Sequence, residues 1–140
     1  MAEPQIVLDT NVLVAALRSR RGSSYRLLSL VDAGYFEINV SVPLVLEYED
    51  VLSRSELRLS TEDARDVLDY LCTIGNRHEI HFLWRPYLSD PKDDMVLELA
   101  VSASCPYIVT FNERDFRSIE RFGVRAISPI EFLRIIGDVP

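Results

Sequence analysis

One feature narrows the possible folds more than any other: short apolar runs that end in polar turns alternate, along the whole chain, with segments of helical spacing. Ile6-Val7-Leu8 runs into Asp9-Thr10-Asn11, after which Val12, Leu13, Ala16 and Leu17 fall on one helical face. Tyr25, Leu28, Leu30 and Val31 carry a second helix, expected to close at Gly34 before Phe36 to Val42 returns as a strand. Pro43 suits the first turn of a helix reaching Ser53, and Ser60-Thr61-Glu62-Asp63 starts another whose stripe of Val67, Leu68, Leu71 and Ile74 runs to Gly75. Glu79 to Leu83 reads as a third strand. Asp90-Pro91 opens a helix through Ser104, Tyr107 to Thr110 is a buried strand, and Val124 to Ile127 is a fifth. Ser128-Pro129 begins a terminal helix through Ile136. The pattern predicts an α/β fold of three layers, a central, mainly parallel sheet of four to five strands flanked by helices. With 140 residues and no repeat or linker, a single domain over residues 1–140 is expected.

Composition removes several function classes. The chain has 15 basic against 22 acidic residues, a net charge of −7, so its overall field repels phosphates and any bound polyanion needs metal or local arginine. Gly is scarce and there is no GxSxG elbow or Gly-rich loop ending in Lys-Ser or Lys-Thr, which disfavours triad hydrolases, P-loop proteins and dinucleotide binders. Cys72 and Cys105 lie in apolar, helical surroundings, so buried thiols in a reducing cytoplasm are expected in place of a disulfide framework. Met1 to Gln5 offers no basic leader, and no run approaches about 18 apolar residues, so neither a signal peptide nor a membrane span is expected. His78 and His81 flank the weak third strand and are assigned to the surface.

Open parallel sheets bind ligands outside the carboxyl ends of their strands. Asp9 follows the first strand, Asp93 and Asp94 lie in the first turn after Asp90-Pro91, and Asn112 and Asp115 follow the strand ending at Thr110. Carboxylates gathered in one crevice raise each other's pKa unless a cation neutralises them. Magnesium or manganese suits carboxylate oxygens, whereas the histidines and cysteines lack zinc-ligand spacing. Each acid also has a plainer role. Asp9 or Asn11 can cap the first helix, Asp90 complements a helix dipole, and Asn112 with Asp115 has the spacing of a capping box. Glu47 borders the apolar face of Leu44, Tyr48, Val51 and Leu52, while Glu49 and Asp50 look solvated. The conjunction of acids is more telling than any one of them.

These residues resemble the PIN-domain ribonucleases, particularly the small VapC-like toxins of toxin–antitoxin pairs. The resemblance spans nearly the whole chain. It rests on Val7-Leu8-Asp9-Thr10-Asn11-Val12-Leu13-Val14, on Glu47 in the helix after the second strand, on Asp90-Pro91-Lys92-Asp93-Asp94, and on Ile108-Val109-Thr110 with Asn112 and Asp115. It implies that Asp9, Glu47, Asp94 and Asp115 form an acidic cluster around Mg²⁺ or Mn²⁺. Asn11, Thr110, Asn112 and Asp93 would support it, with Asp93 competing for the place of Asp94. Relatives of this branch often carry an acid where this chain has Asn112, so the fourth carboxylate is assigned to Asp115. The implied activity is metal-assisted hydrolysis of phosphodiester bonds in RNA, with single strands fitting a narrow acidic crevice better than a stiff duplex. Arg18, Arg20 and Arg21 on one loop, and Arg114, Arg117 and Arg121 near another, are candidates to grip phosphates. The resemblance also implies a homodimer and an antitoxin protein whose arginine enters the acidic cluster.

Three other readings compete. A phosphoacceptor signalling module would need a lysine after the last strand, whereas the only lysine is Lys92. A non-catalytic PIN-like module would hold metal or protein without cleaving, and an RNA-processing PIN nuclease would work without an antitoxin.

Overall fold

The computed structural model describes residues 3–80 and 87–139. In chain order its elements are β1 (Gln5–Leu8), α1 (Thr10–Arg18), α2 (Ser23–Ser29), β2 (Glu37–Ser41), α3 (Val42–Leu52), α4 (Thr61–Ile74), β3 (Asn76–His78), α5 (Pro91–Ser102), β4 (Tyr107–Val109), β5 (Arg125–Ile127) and α6 (Pro129–Ile135). Short 3₁₀ turns occupy Ser55–Leu57, Glu113–Phe116 and Glu120–Phe122. The five strands form one sheet of order β3-β2-β1-β4-β5, and every neighbouring pair is parallel. Ile6, Val7 and Leu8 are buried in succession. Successive strand residues point to opposite faces, so both faces of β1 are covered, as an α/β layer fold requires.

Sequence-encoded caps set the helix starts. Ser41, Ser60 and Ser128 each accept a backbone N–H three residues on, at 3.3, 2.9 and 3.3 Å, and open α3, α4 and α6. Asp9 and Asp90 occupy the same position for α1 and α5. Phe132 of α6 packs edge-on against Phe36 (ring centroids 5.3 Å apart) and Tyr107 (5.7 Å), locking the terminal helix to the core.

Two expectations about elements are corrected. The second helix ends at Ser29, well before Gly34, because the N–H groups of Leu30, Val31 and Ala33 each bond three residues back, tightening the chain into turns up to Gly34 at φ 90°. The third strand of the sheet is Asn76–His78, ahead of the expected Glu79 to Leu83. Glu79 and Ile80 are outside any strand, and residues 81–83 lie outside the described residues, as does His81. Gly75 explains the early start: a Cβ there would stand 2.7 Å from the Leu71 carbonyl, and only a glycine lets the chain leave α4 so close to β2. Polar pairing then holds this strand. The His78 ring meets Asn39 Oδ1 at 2.7 Å and Asn76 donates to Gln5 Oε1 at 3.0 Å, so His78 is a sheet residue and not merely a surface one. Both cysteines are free thiols, but only Cys105 is buried; Cys72 is half-buried.

Candidate active site

The strand order places a topological switch between β1 and β4: the chain moves outward from β1 through β2 to β3, then returns to the other side of β1. Loops diverge at such a point and leave a crevice beyond the strand ends. Asp9 is the residue after β1, Thr110 the residue after β4, and the Asp9 N–H bonds the Val109 carbonyl at 2.9 Å. A cavity of about 180 Å³ opens there, lined by Asp9, Thr10, Asn11, Glu47, Asp90, Lys92, Asp93, Met95, Val96, Asn112 and Asp115. Larger hollows exist, such as one of about 460 Å³ walled by Val42, Val45, Leu46 and Cys72, but it is chemistry and not size that singles out this one.

The base of the site is a hydrogen-bonded unit. Thr110 Oγ1 donates to Asp9 Oδ2 at 2.8 Å and accepts the Asn112 N–H at 2.9 Å. Asn11 Nδ2 lies 3.4 Å from Asp9 Oδ2 and 3.3 Å from Thr110 Oγ1, while Asn11 Oδ1 accepts the Phe111 N–H at 3.2 Å. Asp9 Oδ1 accepts the Thr10 N–H at 2.9 Å. Asp9 therefore caps α1 and faces the cavity at once; the plain and the chemical roles coincide. Asn112 heads its 3₁₀ turn without a side-chain cap bond, so the capping box proposed for Asn112 and Asp115 does not form. Asp90 does cap α5, accepting the Lys92 N–H at 2.9 Å. Replacing Thr110 by Val, which keeps the shape and removes the hydroxyl, is expected to cost about 1–3 kcal/mol of stability, because Asp9 Oδ2 keeps only the longer bond from Asn11 and the Asn112 N–H loses its acceptor. Urea melts of the two proteins would show it, and an unchanged midpoint would refute the hydroxyl's role.

The two aspartates of the Asp93-Asp94 pair part company. Asp93 lines the cavity, whereas Asp94 does not. Asp94 is 2% exposed and its carboxylate accepts the Leu88 N–H at 2.7 Å and the Tyr87 N–H at 3.3 Å, tying the segment before α5 to the helix. The acids brought together at the cavity are thus Asp9, Glu47, Asp90, Asp93 and Asp115; Asp90 is committed to the α5 cap, and Asp93 stands where Asp94 was expected. Burial pushes the Asp9 carboxyl above its ordinary value, partly offset by the Thr110 bond. Asp93 is pushed up to about 7, first by burial and then by the charges of Asp9, Asp90, Asp115 and Asp94. Among the described residues, no three His, Cys, Asp or Glu side chains stand close enough, as placed, to hold a metal ion. Five acidic residues line the cavity without meeting at one point, and the four not committed to a cap of α5, Asp9, Glu47, Asp93 and Asp115, offer only hard oxygens, which suits a hard divalent cation.

Sequence reasoning missed two contributors. Tyr48, counted only as part of an apolar face, is buried and donates its hydroxyl to the Leu8 carbonyl at 2.5 Å, fixing α3 and hence Glu47 against the end of β1. Its phenolic tip in a core position was the available signal, since a buried tyrosine hydroxyl needs a partner. Lys92 sits at the cavity with Nζ 3.6 Å from Glu47 Oε1, an exposed cation paired with a half-buried acid. Of the candidate arginines, Arg18 lines a groove of about 650 Å³ that shares Thr10 and Asn11 with the acidic cavity, and Arg54 joins it there. Arg114 lines a recess of about 540 Å³ that shares Asn112 and Asp115. Arg20 and Arg21 are exposed after α1, and neither lines the cavity.

A parallel α/β sheet with a carboxylate-lined crevice at its switch point defines a class of small acidic-site domains. The chain belongs to the PIN domain family, whose model matches residues 5–114. PIN domains are generally nucleases and typically use a divalent metal. The match ends one residue before Asp115. The fold is similar to a chain in the crystal structure of VapBC2 from Rickettsia felis bound to a DNA fragment from their promoter, with a TM-score of 0.62 and 18% identity over 87% of this chain and 96% of that one. No curated protein matches the chain. Among the described residues no helix is long and apolar enough to cross a membrane.

Proposed function

We propose that this PIN domain is a metal-dependent endoribonuclease that hydrolyses phosphodiester bonds of single-stranded RNA, and that it acts as the toxin of a type II toxin–antitoxin pair. The observation that carries the reading is the gathering of Asp9, Glu47, Asp93 and Asp115 around one cavity at the switch point of the sheet. Asp9, Glu47, Asp93 and Asp115 are the residues that would hold Mg²⁺ or Mn²⁺, with Asp93 taking the place first given to Asp94. Such an ion supplies charge neutralisation and Lewis acidity for phosphodiester hydrolysis. The protein's own part is positional. Thr110 and Asn11 fix the Asp9 carboxylate, Tyr48 anchors the helix that presents Glu47, and Lys92 balances the charge of Glu47 at the rim. Arg18 and Arg114 line hollows that adjoin the cavity, which supports a role for both in meeting the phosphates of a bound strand. Likeness in fold to a VapBC2 chain supports an antitoxin protein as partner. We take the chain to work as one domain, in the cytoplasm, and as a homodimer.

The test is cleavage of a panel of labelled single-stranded RNAs with Mg²⁺, Mn²⁺ or EDTA, using wild type and Asp9→Asn. Cutting that needs metal and disappears with EDTA and with the substitution is the expected result. Folded wild type that cuts nothing with either metal would replace this reading by a non-catalytic PIN-like module. A small antitoxin gene beside this one separates a toxin from an RNA-processing nuclease.

A further inference from the structure

Phe111 is the residue between Thr110 and Asn112, both part of the site's hydrogen-bonded base, and its own N–H is held by Asn11 Oδ1 at 3.2 Å. Its backbone is therefore fixed by the same network that orients Asp9. Its ring, by contrast, is 50% exposed, while Phe36, Phe116 and Phe132 are almost completely buried. Phe111 lines the recess that Arg114 also lines, and that recess shares Asn112 and Asp115 with the acidic cavity. An exposed phenylalanine with its backbone held, one residue from the acidic cavity and in the same recess as Arg114, has the makings of a stacking platform for a nucleobase. Aromatic side chains bind single strands in this way without selecting sequence, because every base presents a π-face. A platform that is ordered beforehand also loses little entropy on binding.

We infer that Phe111 is a base-stacking residue, holding the nucleotide next to the cleaved linkage against its ring while Arg114 meets the adjoining phosphate. The inference rests on the nuclease reading above and adds to it where the strand lies: over the end of β4. Phe111 touches substrate but no reacting atom, so it acts on binding and not on the bond-breaking step.

The experiment compares wild type with Phe111→Ala, Phe111→Leu and Phe111→Trp on a labelled single-stranded RNA whose cleavage position has been mapped, with a second set of RNAs carrying one abasic nucleotide at each flanking position. Alanine is expected to raise KM roughly tenfold with kcat nearly unchanged, leucine to behave like alanine, and tryptophan to match wild type. One abasic position should impose the same loss on wild type and no further loss on Phe111→Ala, since the two changes remove one contact. Wild-type KM in Phe111→Ala, full function in Phe111→Leu, or additive losses with every abasic RNA would each overturn the inference and leave the nuclease reading standing. If wild type neither binds nor cuts single-stranded RNA, both fall together. Should Phe111→Ala spare KM but weaken the hold of a protein that co-purifies with the chain, the ring is a protein contact and the inference is again overturned.

Discussion

Asp93→Asn is expected to abolish metal-dependent cleavage, by roughly 100-fold or more, while leaving the protein folded. Asp94→Ala should do nearly the reverse. Asp93 lines the cavity and is half-buried there, so its amide analogue keeps the shape and removes one charge from the set proposed to hold the metal. Asp94 takes no part in the cavity wall, and its carboxylate satisfies two backbone N–H groups, those of Tyr87 and Leu88, from a buried position. Stranding those donors costs about 2–4 kcal/mol, enough to lower the melting temperature by roughly 5–10 °C. Below its own melting range, Asp94→Ala should retain cleavage within a few-fold of wild type. Parallel thermal melts and cleavage assays on the two variants decide the matter. A folded but inactive Asp94→Ala beside an active Asp93→Asn would return Asp94 to the cluster.

That the pair could not be resolved from the sequence has a physical reason. Both aspartates fall in the first turn of α5, where a carboxylate is favoured by the helix dipole whatever else it does. Which of them meets the cavity depends on the rotation of α5 about its axis, and that rotation is set by packing of Met95 to Ala100 against the sheet, a tertiary matter. Elsewhere local chemistry went further. Asp9 and Thr110 follow the ends of adjacent parallel strands; the alternation put both at the carboxyl edge of the sheet, and the family resemblance, not the alternation, implied that they and Glu47 share one site. The third strand failed for the opposite cause. Asn76-Arg77-His78 has no apolar alternation, because it is held by Asn39, Gln5 and its ladder to β2 instead of by burial, and periodicity cannot detect a strand of that kind. Tyr48 and Phe111 mark the remaining limit: spacing counts an aromatic residue as core or surface and is blind to a hydroxyl that reaches one carbonyl or to an exposed aromatic residue whose backbone is held at the edge of a cleft.

The affinity for a divalent cation should fall by up to about tenfold for each pH unit below 7 and level off above it. The cause is the Asp93 carboxyl, pushed up to about 7 from an ordinary 3.8 by burial and by its acidic neighbours. A cation that binds there must displace the proton, and in acid the proton wins. The same shift fixes the sign for the metal-free fold. Between about pH 4 and pH 7 the folded protein keeps a proton that the unfolded chain has released, so this group's contribution to stability is greatest in acid and declines as pH rises through that window. Asp9, also raised, steepens both trends. Added metal should then raise the melting temperature most above pH 7, where the uncompensated charges are most costly, and EDTA should reverse the gain. Asp93→Asn removes the proton and with it most of both slopes. Calorimetric titration of Mn²⁺ into wild type and Asp93→Asn, from about pH 5.5 to 8, measures the difference directly. A wild-type affinity that does not change between pH 6 and 7 would mean that Asp93 keeps its ordinary ionisation and takes no part in holding the cation.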